Sequence, residues 1–150
     1  MPRGIGRHFC TLNLADAFSS SFVDIYDLPG TVSNEIKLNL WLFLNSSVGW
    51  LLREINGRKN LGGGMLKAEA VDLRDLPIYF DFRQHERIMA VMKRLDKRSS
   101  LETVEEINTA EHREIDQIVF DHLHTAETAR HEIVKILCSR IIERHEKSRT

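Results

Sequence analysis

No apolar run in this chain approaches the length of a membrane span, and residues Met1 to Arg7 lack the apolar core of a signal peptide. A spanning or secreted protein is thereby set aside, and a cytoplasmic one is expected. Cysteine is scarce: Cys10 and Cys138 lie far apart, which excludes a disulfide framework and leaves two reduced thiols. Proline occurs at Pro2, Pro29 and Pro77, never in a pair. Internal repeats and low-complexity tracts are absent. Charge of one sign is missing as well, since 21 Lys and Arg against 22 Asp and Glu leave a net charge of −1. That is not the positive balance of a free-standing nucleic-acid binder. At 42% hydrophobic and 29% charged residues, the composition is that of a folded, soluble protein with one domain, or one domain and a helical appendage.

Charge is nevertheless local. Between Arg53 and Lys67 stand Arg53, Arg58, Lys59 and Lys67 against the single acid Glu54, whereas the stretch from Glu102 to Glu146 is rich in acids. The basic stretch encloses Gly62-Gly63-Gly64. Three successive residues without Cβ let a backbone approach another surface closely, and flanking cations suit phosphates. Composition alone favours the plainer alternative, a flexible connection with solvated lysines. The triplet is neither a P-loop nor a dinucleotide fingerprint, because the lysine spacing and the strand-to-helix order are wrong.

Gly6 to Tyr26 is expected to be β-rich, with Phe9, Thr11, Leu12, Phe22, Val23, Ile25 and Tyr26 as its strand formers. Ser33 or Asn34 caps a helix expected to run without interruption to about Asn56, since Ile36, Leu40, Phe43, Leu44, Val48, Leu51 and Ile55 recur at three- and four-residue steps. Met65 to Val71 alternates as a strand does, and Asp72 caps a helical turn closed by Pro77. The remainder reads as helices: Arg83 to Lys97, short ones opened by Ser99 and Asn108, and a last one capped by Thr125 that frays beyond Glu143. The expected fold class is α+β: a small mixed or antiparallel sheet with one long buried helix over residues 1–82, then a helical C-terminal module over 83–150.

Catalytic patterns are missing. Asp121-His122-x-His124 looks ligand-like, but residues two apart on a helix face nearly opposite ways. The histidines, His112 included, are expected to be solvated or at helix ends. Glu105, Glu106, Glu111, Glu114 and Asp116 read as a solvated helix face rather than paired acid and base. No metal site and no nucleophile pattern is read.

Four segments share an order with a known family. They are Leu44-Asn45-Ser46-Ser47, then Gly57-Arg58-x-Asn60-Leu61-Gly62-Gly63-Gly64-Met65-Leu66-Lys67, then Val71-Asp72-Leu73-Arg74-Asp75-Leu76-Pro77-Ile78, and finally Arg113-Glu114-Ile115-Asp116-x-Ile118-Val119-Phe120-Asp121. Together they resemble the C-terminal target-recognition region of adenine-N6 DNA methyltransferases of restriction–modification systems. The likeness runs from about Phe9 onward. It implies a part that holds duplex DNA while a separate domain binds S-adenosylmethionine and receives the flipped adenine in an Asn-Pro-Pro-Tyr or Asn-Pro-Pro-Phe segment. With no Pro-Pro pair and no strand–glycine turn–helix unit, this chain is expected to carry no cofactor or catalytic residue itself and to be one piece of a longer protein.

The partners so implied are double-stranded DNA and the parent's catalytic domain. Arg58, Lys59 and Lys67 are the expected phosphate contacts, and Gly62, Gly63 and Gly64 the place of close backbone approach. A different reading is a helical module that docks onto a catalytic or partner subunit. Its apolar faces (Ile88, Met92 and Leu95; Ile133, Leu137 and Ile141) would be left bare in isolation, so self-association is expected. A hydrolase built on the histidine-rich helix is a third reading.

Overall fold

The structure, a computed structural model, describes residues 4–12, 23, 25, 32–61, 64–79 and 81–147. In chain order the elements are β1 (Gly4–Ile5), α1 (Asn34–Leu44), α2 (Ser47–Asn56), β2 (Arg58–Leu61), β3 (Met65–Lys67), α3 (Ala70–Leu73), α4 (His85–Leu95), α5 (Thr103–Ile107), α6 (Ala110–His122) and α7 (Glu127–Glu146). The described chain is therefore mainly helical. Strand pairing is limited to three short antiparallel segments in the order β1-β3-β2, with Ile5 opposite Leu66 and Arg58 opposite Lys67. No described helix is long and apolar enough to cross a membrane.

Two expectations are corrected. The first is the β-rich stretch from Gly6: residues 6–12 carry no strand, and most of the rest lies outside the described residues. The backbone there is satisfied by side chains instead of a ladder. His8 N–H donates to Thr103 Oγ1 at 3.1 Å, Cys10 N–H donates to Asn45 Oδ1 at 2.8 Å, Asn45 Nδ2 donates to the Cys10 carbonyl at 3.0 Å, and Arg53 donates to the Phe9 carbonyl.

The second is the single long helix, which breaks at Asn45-Ser46. Asn45 Nδ2 also reaches back to the Trp41 carbonyl at 2.8 Å, and Ser46 caps α2 by accepting from Gly49 N–H. Ser47, the first residue of α2, is then held by α6: its N–H and its hydroxyl donate to the two Asp116 oxygens at 2.7 and 2.6 Å. The apolar periodicity continues through the break, but the helical hydrogen bonding does not.

α1 serves the first core, whereas α2 divides between that core, where Val48 and Leu52 pack, and a second one. Leu38, Trp41, Leu42 and Phe43 of α1 pack with Phe82, Ile88 and Val91 around α4 and with Ile115, Ile118 and Val119 of α6. Trp50 of α2 packs with Ile107, Leu137 and Ile141 of α5 and α7. Leu44, at the junction, joins Ile5, Leu66, Ala68 and Leu73 under the strands. The first of these cores draws on both sides of residues 82 and 83. The apolar faces expected to be bare are covered within the chain to differing degrees: Ile88 is buried in the first core and Leu137 and Ile141 in the Trp50 core, while Met92, Leu95 and Ile133 are partly covered.

Gly49 measures how tight the junction is. A Cβ there would lie 2.3 Å from the Phe43 carbonyl oxygen, a backbone atom that cannot swing away. Glycine to alanine inside a helix ordinarily gains about 1 kcal/mol. At this position Gly49→Ala is expected to cost about 2–3 kcal/mol instead, by overpacking. Urea denaturation of the two proteins checks the sign.

Candidate nucleic-acid interface: the glycine hairpin and its anchor

β2 and β3 pair antiparallel, and in the sequence Gly62-Gly63-Gly64 stands between them. Gly62 and Gly63 lie outside the described residues; Gly64 is buried with φ 70°, a left-handed conformation that glycine takes without strain. Its carbonyl accepts a hydrogen bond from Arg144 Nη1, and the same nitrogen donates to the Ile5 carbonyl at 3.1 Å. One guanidinium from near the end of α7 thus ties the hairpin turn to strand β1.

The other arm of Arg144 is buried too. Nη2 donates to Glu54 Oε1 at 2.8 Å, and His8 Nε2 lies 2.7 Å from the same oxygen. A carboxylate only accepts, so His8 donates from Nε2. All three side chains are out of solvent. Arg53, next to Glu54, is equally buried and donates to the carbonyls of Leu44 at 2.7 Å and Phe9 at 3.3 Å; burial pulls its guanidinium down to about 10. Burial, with the neighbouring arginines assisting, brings His8 down to about 4 in spite of its bond to Glu54. Glu54 is held below the usual carboxylate range: burial works against this, but its bonds to His8 and Arg144 prevail.

The expected phosphate contacts are placed as follows. Arg58 and Lys67 are register partners in the antiparallel pair, so their side chains share one face of the hairpin at the end away from the turn. Arg58 is 55% exposed and donates to Asp72 Oδ1 from Nη2 at 2.8 Å and from Nε at 3.1 Å. Lys67 is 42% exposed, with Nζ 2.9 Å from Glu69 Oε1. Asp72 is held ionised chiefly by the Glu69 N–H, with Arg58 adding to it. Each cation thus carries a carboxylate counter-charge. Lys59 sits in β2, and its side chain is outside the described residues. Arg53 belongs to the anchor and not to the surface.

Sequence reasoning missed the anchor. Arg144 was expected in a fraying tail, yet α7 runs to Glu146 and Arg144 is only 4% exposed. It also missed the second buried polar group, which includes His112: the residue stands in the first turn of α6, a helix end as one alternative had it, but it is not solvated. His112 is buried against Trp50, ring centroids 4.3 Å apart, with Nε2 2.9 Å from Ser47 Oγ. The Asp116 carboxylate takes the Ser47 proton, so His112 donates to Ser47. A nucleophile and its base would need the reverse direction, and a fully covered hydroxyl reaches no substrate. The group is a clasp between α2 and α6. Glu106, expected on a solvated face, is likewise buried, bound by Arg98 and the Leu101 N–H. A signal for these sites existed: Glu54 and Ser47 stand inside a segment otherwise apolar enough to be covered.

No family model, no curated protein and no solved structure matches the chain.

The anchor makes the fold acid-sensitive. His8 has a folded pKa below its unfolded value of 6.5, so the unfolded chain binds more protons between these limits and stability falls as pH drops through that window. Glu54 loses its contribution below its own unfolded pKa, in the same direction. Urea denaturation at pH 7.0 and 5.0 is expected to show wild type losing about 2 kcal/mol, with most of that loss absent in His8→Gln. An equal loss in both proteins would place the acid sensitivity elsewhere.

Proposed function

We propose that this chain is the DNA-recognition part of a site-specific adenine-N6 DNA methyltransferase of a restriction–modification system, working in the cytoplasm beside a separate catalytic domain that carries S-adenosylmethionine. The observation that carries the proposal is the mounting of the glycine hairpin. Gly64, the last of three successive glycines in the sequence, is held by a buried arginine, and two exposed cations stand on one face of the same β2–β3 ribbon. Holding a duplex in register while a base is extruded calls for a stiff element of this kind, with phosphate contacts that set orientation. The cations themselves stand about half in solvent, so a phosphate can approach Arg58 and Lys67 from the side away from their carboxylates.

The segments that carry the family resemblance support the same reading. Asn45, Ser46 and Ser47 set the junction under the hairpin, Asp72 seats Arg58, and Asp116 holds Ser47. They are the mount, and the hairpin is what they present.

Fluorescence anisotropy with a labelled duplex across a salt series tests the proposal. Phosphate contacts from Arg58, Lys59 and Lys67 give a slope of log K against log salt of about −2.7, at ~0.9 per contact. Arg58→Ala and Lys67→Ala each reduce the slope by about one unit on every sequence. Asp72→Asn keeps an acceptor for the Glu69 N–H, frees Arg58 and raises affinity severalfold. A double Arg58/Lys67 variant with an unchanged slope, or no binding at low salt, overturns it.

A further inference from the structure

We propose that α7 pairs with α7 of a second copy, antiparallel, about a two-fold axis through Ser139. The inward side of α7 is spent, since Leu137, Ile141 and Arg144 are buried against α2 and the strands. At 100° per residue, the opposite side is centred on Ser139, and it is exposed along its length. Its residues are arranged symmetrically about that serine. Three positions either way stand Ile136 and Ile142, both large apolar side chains left in solvent at 38% and 48% exposure. Four positions either way stand Lys135 and Glu143, of opposite charge. A shallow depression in the surface runs along this face, between Lys135 and Glu143.

A two-fold antiparallel crossing brings each residue near the seam against the one equally far on the other side of Ser139. Ser139 then faces its own copy, and its small side chain lets the helices come close. Lys135 meets the second copy's Glu143, a contact that occurs twice, as an isologous interface requires. Ile136 and Ile142 flank the seam on opposite sides, each beside its own counterpart in the second copy. In a parallel pairing, lysine would meet lysine. The face therefore selects its partner and its direction by charge as well as by shape. Lys135 already has its own Glu132 at 3.6 Å, an exposed pair that a second carboxylate can join. Glu132 would face Glu146, but they lie roughly 10 Å along the axis from the crossing, where helices inclined by roughly 50° have separated. One helix pair buries less than the ~800 Å² per partner of a standard interface, so the dimer is weak, with a Kd on the order of 100 µM.

Sedimentation equilibrium without DNA, from about 10 µM to about 1 mM and so spanning that Kd, separates this proposal from the hairpin's. A reversible dimer is expected. Lys135→Glu and Glu143→Lys each place like charges across the axis and weaken self-association about tenfold. The double exchange restores it, and so does mixing the two single variants, because a heterodimer then has both pairs complementary. All four positions changed or paired in these proteins are on the surface, and circular dichroism confirms that each variant keeps its helices. A strict monomer at about 1 mM, or a dimer indifferent to the charge reversals, overturns the proposal.

Discussion

The Glu54 carboxylate is the constraint on which the rest of this structure depends. It is a charge in the interior, held by His8 from the first segment of the chain and by Arg144 from the last helix. An ion removed from water is tolerated only when its partners are present with good geometry. Breaking such a set leaves a charge uncompensated, at a cost of about 3–5 kcal/mol. The two ends of the chain are therefore committed together, because neither His8 nor α7 can leave while Glu54 stays charged and dry. The hub is also incompletely satisfied among the described residues: Glu54 Oε2 and Arg144 Nε find no hydrogen bond. It selects one arrangement more than it adds stability.

The Asn45-Ser46-Ser47 break is the second fixed point, and it works by the same rule. Polar groups inside an apolar segment are costly unless each finds a partner. Here each does: Asn45 with Cys10 and Trp41, Ser46 with Gly49, Ser47 with Asp116 and His112. Satisfying them forces the helix to stop and restart. The two short helices then contribute between them to three cores.

The same reasoning says why the sequence was legible in some places and not in others. Helix existence followed from apolar spacing, and α4, α6 and α7 lie within a few residues of their expected bounds. Cap positions moved by one to three residues. Glu102, Thr109 and Ala126 stand where Ser99, Asn108 and Thr125 were expected, because several polar residues in a row offer equivalent starts. The break was hidden because Val48, Leu51 and Ile55 keep the period of α1 even though α2 is a separate helix. The hairpin cations were visible as a local cluster; their counter-ions were only partly so, since Asp72 reads equally well as a cap. Least legible was the anchor. Glu54 and Arg144 are 90 residues apart, and Arg144 is embedded in a run whose neighbours are solvated. Only the three-dimensional path of α7 turns its side chain inward.

That path gives α7 two faces with different work, and they are mechanically joined. Arg144 projects inward to the hairpin turn, while five residues earlier Ser139 centres the outward face. Unwinding of α7 past Ile141 would release Arg144 from Gly64, Ile5 and Glu54 at once. A second copy laid across Ser139 and Ile142 would oppose that unwinding. Binding of DNA at the hairpin would do so from the other side, because the turn it touches is the one Arg144 holds. If DNA and a second copy both bind as proposed, both would favour the same intact end of α7, and coupling between two such sites is reciprocal by thermodynamic necessity. On these terms the last helix is where recognition and pairing would be linked, through the conformational freedom of a few residues around one buried arginine.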